Sequence, residues 1–281
     1  MFLTGVLAPG VVCVIILGAA HLCRRPADGS WGGAVALGIS FPISQILILG
    51  LPPWPPVEMR HWLPFLAVAA MASGLFETLC KNRLRLCWCV RVVLISATLR
   101  LLLDFKVKHF WAWSESAIWL GTLNLLCLGV WSILENVSAK TPGPSIPFAL
   151  TAIAGLGAGV IGVSGSASSL QLAGVIAVGL TVITFFSWLS PEANHIDGVL
   201  PVFLVLSLGP WFEGYFLSET SAFCVLLLGL SPLALSLGLI VPLPSWQRNA
   251  LVIGIPCIMC LTSLVIAVFT QMPSDPSDYG Y

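Results

Sequence analysis

Residues 251–270 read LVIGIPCIMCLTSLVIAVFT, an almost entirely apolar run that contains no charged side chain. An α-helix of about 20 residues is roughly 30 Å long, which equals the thickness of the hydrocarbon core of a bilayer. The run therefore predicts one membrane-spanning helix near the end of the chain.

Nine further runs of the same kind lie upstream. The ten predicted spans are residues 2–22, 31–51, 63–80, 86–104, 115–134, 146–163, 168–189, 198–216, 220–241 and 250–270. Only 9% of the 281 residues are charged and 58% are hydrophobic, whereas soluble proteins carry about 25% charged residues. We therefore expect an all-α integral membrane protein, a polytopic bundle of about ten transmembrane helices with short loops over residues 1–270. Residues 271–281 form a polar tail that we expect to be disordered.

The fourth span is the least regular of the ten because it contains Arg91 and Arg100. A basic amphipathic helix lying on the membrane surface is the alternative for this segment. Its arginines, however, point to different sides of a helical wheel and do not form one polar face. This scatter favours a helix that crosses the membrane.

The distribution of cations predicts the orientation of the bundle. Connections after odd-numbered spans carry seven lysines and arginines, and connections after even-numbered spans carry three. Because cytoplasmic loops are enriched in Lys and Arg, the odd-numbered spans should end in the cytoplasm. The sequence thus predicts that both termini lie outside, in a plasma membrane or an inner membrane.

Polar residues inside the predicted spans are the candidate functional residues, because burying them in lipid is costly. The substrate-path candidates are Gln45, Asn124, Arg91, Arg100 and Glu213. The two amides lie near the centre of their spans and typically form hydrogen bonds between helices. The three charged residues lie closer to the membrane surfaces.

Each charged residue also has a local interpretation. Glu77 is four residues before Lys81, and Arg100 is four residues before Asp104, so both spacings favour an ion pair on one helix. Arg91 has a long side chain that can reach the nearby membrane surface. Since no Asp or Glu lies at mid-membrane depth, the sequence disfavours a proton relay.

A ridge of small residues predicts a site of close helix packing, and its members are Ala154, Ala158, Gly162 and Ser166. Besides the lipid bilayer, we expect a possible protein partner or second copy to bind along this ridge. The isolated cations do not form a surface for nucleic acid. The sequence predicts no catalytic residue, metal site or cofactor.

Three functions are compatible with this pattern. The leading prediction is a small-solute permease without a proton relay at mid-membrane depth. A non-catalytic subunit or scaffold of a larger complex is the first alternative, because the loops are short. A membrane-embedded enzyme that acts on lipid is the second, with Arg91, Arg100 or His195 as its polar residues.

Overall fold

The computed structural model describes residues 2–22, 31–80, 83–141, 143–164, 167–190, 196–217, 220–240 and 245–271. Within these ranges the chain forms α-helices and no β-strand. The helices are α1 (Phe2–Leu22), α2 (Trp31–Leu49), α3 (Met59–Leu79), α4 (Leu84–Leu102), α5 (Asp104–His109), α6 (Trp113–Lys140), α7 (Ser145–Val163), α8 (Ala167–Leu189), α9 (Val199–Leu217), α10 (Ala222–Ala234), α11 (Leu237–Ile240) and α12 (Ser245–Gln271). Helices suit an apolar solvent because every main-chain polar group inside them finds its partner within the same segment.

Helix occurs in all ten ranges predicted to span the membrane, with differences at the ends. Helix α6 continues to Lys140 and α12 begins at Ser245, so both are longer than their predicted spans. The predicted span 220–241 divides into α10 and α11 where the hydroxyl of Ser236 donates to the carbonyl of Leu233. Such a bond competes with continued helix. The tail from residue 272, together with Lys81, Ser166 and His195, lies outside the described residues.

The number of spans is only partly supported. Seven described helices are long and apolar enough to cross a membrane, namely α2, α3, α6, α7, α8, α9 and α12. The apolar stretch Leu7–Leu22 of α1 and the helix α10 are shorter, and α4 carries three arginines. The chain is thus an α-helical membrane protein, but the expected count of about ten is not confirmed.

Helix α9 lies at the centre of the bundle. It contacts α2, α3, α4, α6, α10, α7 and α8, and each of these helices also contacts the next, closing a ring. Helix α1 packs outside the ring on α2 and α8, and α12 packs outside it on α7 and α10. The side chains of Val202, Phe203, Val205 and Leu206 are completely buried, so the centre of the bundle is close-packed.

Helix α4 extends between the two ends of the bundle. Near its start, Arg91 contacts Glu77 in the last turn of α3. Just after its end, the ammonium group of Lys106 lies 4.9 Å from the ring centre of Phe216, in the last turn of α9. Because α3 packs against α9 and ends where α9 begins, these contacts place the ends of α4 at opposite ends of α9. This arrangement favours a crossing helix over a helix on the surface.

The predicted small-residue ridge lies on α7, which packs closely against α8 and α12. Ala154 and Ala158 are buried, and a side chain added at Gly162 would press against Leu170 of α8. The described part of the ridge thus packs within the chain. Association with a partner stays a prediction.

Candidate functional site: two polar clusters and an exposed polar face

One buried ion cluster joins three helices at the end of the bundle where α3 finishes. It consists of Arg91, Glu77 and Glu135, which we call the Arg91 cluster. The guanidinium Nε of Arg91 donates to Glu77 Oε1 at 2.6 Å, and its Nη1 donates to Glu135 Oε2 at 2.6 Å. Its Nη2 donates to both carboxylates, at 3.2 and 2.8 Å. Arg91 therefore holds α3 and α6 against α4 through forked, charge-assisted hydrogen bonds.

Aromatic rings complete the surroundings of Arg91. Its guanidinium carbon lies 5.5 Å from the ring centre of Trp88 and 5.2 Å from that of Trp131. Arg91 is 3% exposed, so the expectation that it reaches the membrane surface is wrong. Its guanidinium instead binds the carboxylates of Glu77 and Glu135 on the two neighbouring helices.

The Arg91 cluster carries an excess of negative charge, since one guanidinium faces two carboxylates. The carboxylate of Glu135 is 52% exposed, whereas that of Glu77 is 12% exposed. Close by, the hydroxyl of Ser138 donates to Asp197 Oδ1 at 3.3 Å and links α6 to the residues that precede α9. Four of the five N–H groups of Arg91 are used in these hydrogen bonds, so the cluster links α3, α4 and α6.

A second polar cluster lies at the opposite end of α9. We call it the Glu213 cluster, and its members are Gln45 of α2, Arg60 of α3, Ser169 of α8 and Glu213 of α9. The amide Nε2 of Gln45 donates to the main-chain carbonyl of Arg60 at 2.5 Å. The hydroxyl of Ser169 hydrogen-bonds to the carboxylate of Glu213, which also interacts electrostatically with Arg60. Four helices therefore meet around these side chains.

Two oxygen atoms in the Glu213 cluster are buried without a hydrogen-bond partner in the described part of the chain. They are Oε1 of Gln45 and Oε2 of Glu213. The residues are 2% and 6% exposed. Arg60 forms an ion pair with Glu58, so its positive charge is already shared. Buried acceptors are normally satisfied, and two unsatisfied ones in the same cluster need an explanation.

A third polar feature lies on the outside of the bundle, between α4 and α6. The amide Nδ2 of Asn124 donates to the hydroxyl of Ser96 at 2.5 Å. Beside this pair, Gly121 and Gly129 are exposed, and a Cβ atom added to either would meet nothing within 4 Å. Leu125, which lies one helical turn from each glycine, is 73% exposed. We call Ser96, Gly121, Asn124, Leu125 and Gly129 the α4–α6 face.

The contacts predicted for Gln45, Asn124 and Arg100 are confirmed. Gln45 and Asn124 both form hydrogen bonds between helices, to α3 and α4 respectively. Arg100 pairs with Asp104, which also accepts a hydrogen bond from Lys108 at 2.7 Å. For Glu77, the partner in the structure is Arg91.

The five substrate-path candidates fall in three places. Gln45 and Glu213 share one cluster, and Arg91 lies in the cluster at the other end of the bundle. Arg100 and Asn124 lie on the periphery, away from α9. The structure therefore brings together two of the five, and it adds Glu135, Arg60 and Ser169, which the sequence alone did not single out. The sequence did contain an indication of these contacts. Glu135, Arg60 and Ser169 each lie near the end of a predicted span, on the same predicted side of the membrane as the residues they contact.

Comparison with models of known protein families gives no match, and comparison with curated proteins gives no significant match. The class of the protein follows from its apolar helices and their packing. The chain is a multi-pass, α-helical integral membrane protein.

Proposed function

We propose that the chain is a non-catalytic membrane subunit that assembles with a second copy of itself through the α4–α6 face. The observation that carries this proposal is the hydrogen-bonded pair Asn124–Ser96 on the outer surface of the bundle. Asn124 lies eleven residues from the nearer end of α6, and Ser96 lies six residues from the end of α4, so the pair falls inside the stretch predicted to cross the bilayer. Polar side chains in lipid favour association between helices, by about 0.6–2 kcal/mol for each hydrogen bond.

The α4–α6 face is complementary to a copy of itself. Asn124 has an amide oxygen that accepts no hydrogen bond within the described ranges, and its amide nitrogen can donate a second bond. Two copies related by a twofold axis would therefore satisfy each other. The protruding Leu125 lies between Gly121 and Gly129, so a projection and two depressions occur on the same helix face. Such a face suits the isologous contact of a symmetric dimer.

The close packing around α9 agrees with a structural role. Side chains at its centre are completely buried, and the grooves of about 440 and 610 Å³ lie on the outside, along α12 and at the start of α4. Arg91 is held by two carboxylates and Arg100 by Asp104, so neither arginine favours a lipid-modifying enzyme.

Photo-crosslinking in native membranes tests the self-association. Two differently tagged copies are co-expressed, with Leu125→p-benzoylphenylalanine in one of them. We expect a product that contains both tags. The same substitution at Leu226 of α10, which is 56% exposed, serves as the matched control and should give no such product.

A pair of glycine variants distinguishes a loss of self-association from a loss of folding. Gly129→Ile and Gly229→Ile each place a side chain where the chain itself has open space. Gly129→Ile should reduce the crosslinked product at least about tenfold, whereas Gly229→Ile should leave it unchanged. Equal crosslinking from positions 125 and 226, or a product with a different protein only, would refute the proposal.

A small-solute permease is the second candidate, and the Glu213 cluster is the observation that favours it. Two of the predicted path residues, Gln45 and Glu213, each have an unpaired oxygen atom at this end of the bundle. Transport would require the helices around α9 to separate, because Ser207 in the middle of α9 is 4% exposed. In a permease, Ser207→Cys should react with a membrane-impermeant maleimide while the protein is active. Complete protection of this cysteine under all conditions would exclude a path along α9.

A further inference from the structure

We infer that the Glu213 cluster binds a monovalent alkali cation, with the carboxylate of Glu213 and the amide oxygen of Gln45 as its ligands. This inference is independent of the self-association described above, since the two sites share no residue.

The first argument is the charge of the cluster. Glu213 carries one negative charge and Arg60 one positive charge, but Arg60 also forms an ion pair with Glu58. Arg60 and Glu58 are 35% and 50% exposed, whereas Glu213 is 6% exposed, so the buried carboxylate shares its cationic neighbour with a second carboxylate at the surface. An uncompensated buried charge is costly, and a bound cation of charge +1 neutralises it.

The second argument is the set of donor atoms. Oε2 of Glu213 and Oε1 of Gln45 have no partner within the described ranges. The carbonyl oxygen of Arg60 accepts from the Gln45 amide, and the hydroxyl of Ser169 hydrogen-bonds to Glu213, so each of the two side chains has one further oxygen next to it. Hard cations prefer such oxygen ligands.

The third argument is geometric. Gln45 and Glu213 are each four residues from the ends of their helices, which corresponds to a depth of about 6 Å. Arg60 and Ser169 lie in the first turns of theirs. The four residues therefore share one level at one end of the bundle. Within the described ranges, no three His, Cys, Asp or Glu residues gather as a metal site, and one carboxylate matches an alkali cation better than a divalent or transition metal.

Thermal unfolding of the purified protein in detergent tests the inference. The midpoint Tm is measured in sodium, potassium or choline chloride at equal ionic strength. Sodium or potassium should raise Tm by at least about 2 °C over choline, because a ligand that binds only the folded state stabilises it. Glu213→Gln keeps the size of the side chain but removes its charge and replaces one ligand oxygen with an NH2 donor, so it should abolish the rise.

Glu135→Gln is the matched control. It removes a carboxylate at the other end of the bundle and should retain the alkali-dependent rise in Tm. Direct binding of ²²Na⁺ by scintillation proximity, with loss of signal in Glu213→Gln, provides a readout that does not depend on unfolding. No rise in wild-type protein, or an equal rise in Glu213→Gln, would overturn the inference.

Discussion

At the scale of single residues, Arg91 is the side chain whose loss should lower the stability of the fold most. It is buried, it binds two carboxylates on other helices, and it lies between two indole rings. Removing one partner of a buried ion pair leaves the other charge uncompensated, which typically costs about 3–5 kcal/mol. We expect Arg91→Met to lower the free energy of unfolding in mixed micelles by this amount. Arg100→Met, which breaks an exposed pair, should cost about 0–1 kcal/mol.

The two acidic partners of Arg91 allow a sharper test of the same idea. Glu77 is nearly buried and Glu135 is half exposed. If the cost of Arg91→Met comes from the stranded carboxylate of Glu77, then the double variant Arg91→Met, Glu77→Gln should recover much of the lost stability. Adding Glu135→Gln to Arg91→Met should recover little, because water can solvate that carboxylate. Equal recovery from both would contradict this explanation.

At the scale of helices, the crossing of α3 and the start of α9 leaves no room for a side chain. A Cβ atom at Gly74 would clash with the main-chain carbonyl oxygen of Gly198, which cannot rotate away. Gly74→Ala should therefore destabilise the protein by about 1–3 kcal/mol, as overpacking does. Gly174→Ala in α8 meets nothing within 4 Å and should be neutral or slightly stabilising, since alanine favours helix. Differential scanning fluorimetry of the two variants measures the difference.

The helices themselves were predictable from the sequence, because an apolar run of span length has few other stable structures in lipid. Their partners were not. The spacing of Glu77 and Lys81 predicts a pair on one helix; Lys81 lies outside the described residues, and Glu77 binds Arg91 from the next helix, which no spacing along one helix indicates. Asn124 lies at the centre of its span in the sequence, which suggested a central path, yet it lies on the periphery of the bundle. Nearly every helix here is apolar on all sides, so hydrophobic periodicity cannot distinguish an inward face from one that contacts lipid.

At the scale of the whole molecule, the orientation in the membrane is a prediction from the cation counts. In a background without the nine native cysteines, Ser164→Cys and His109→Cys should react with an impermeant maleimide added outside intact cells. Ser190→Cys should react only after the membrane is permeabilised. Labelling of Ser164→Cys exclusively from the cytoplasmic side would invert the predicted topology.

The central position of α9 also has a consequence for how the protein is made. Six of the seven helices that surround α9 precede it in the chain, and α10 alone follows it. During synthesis, α2 to α8 therefore enter the bilayer before α9 is made. The ring that they form stays open at least until residues 199–217 leave the ribosome and insert between these helices. Until that moment Gly74 lies beside the space that the beginning of α9 will fill. The centre of the bundle is therefore filled before the ring closes, because α10 is made after α9.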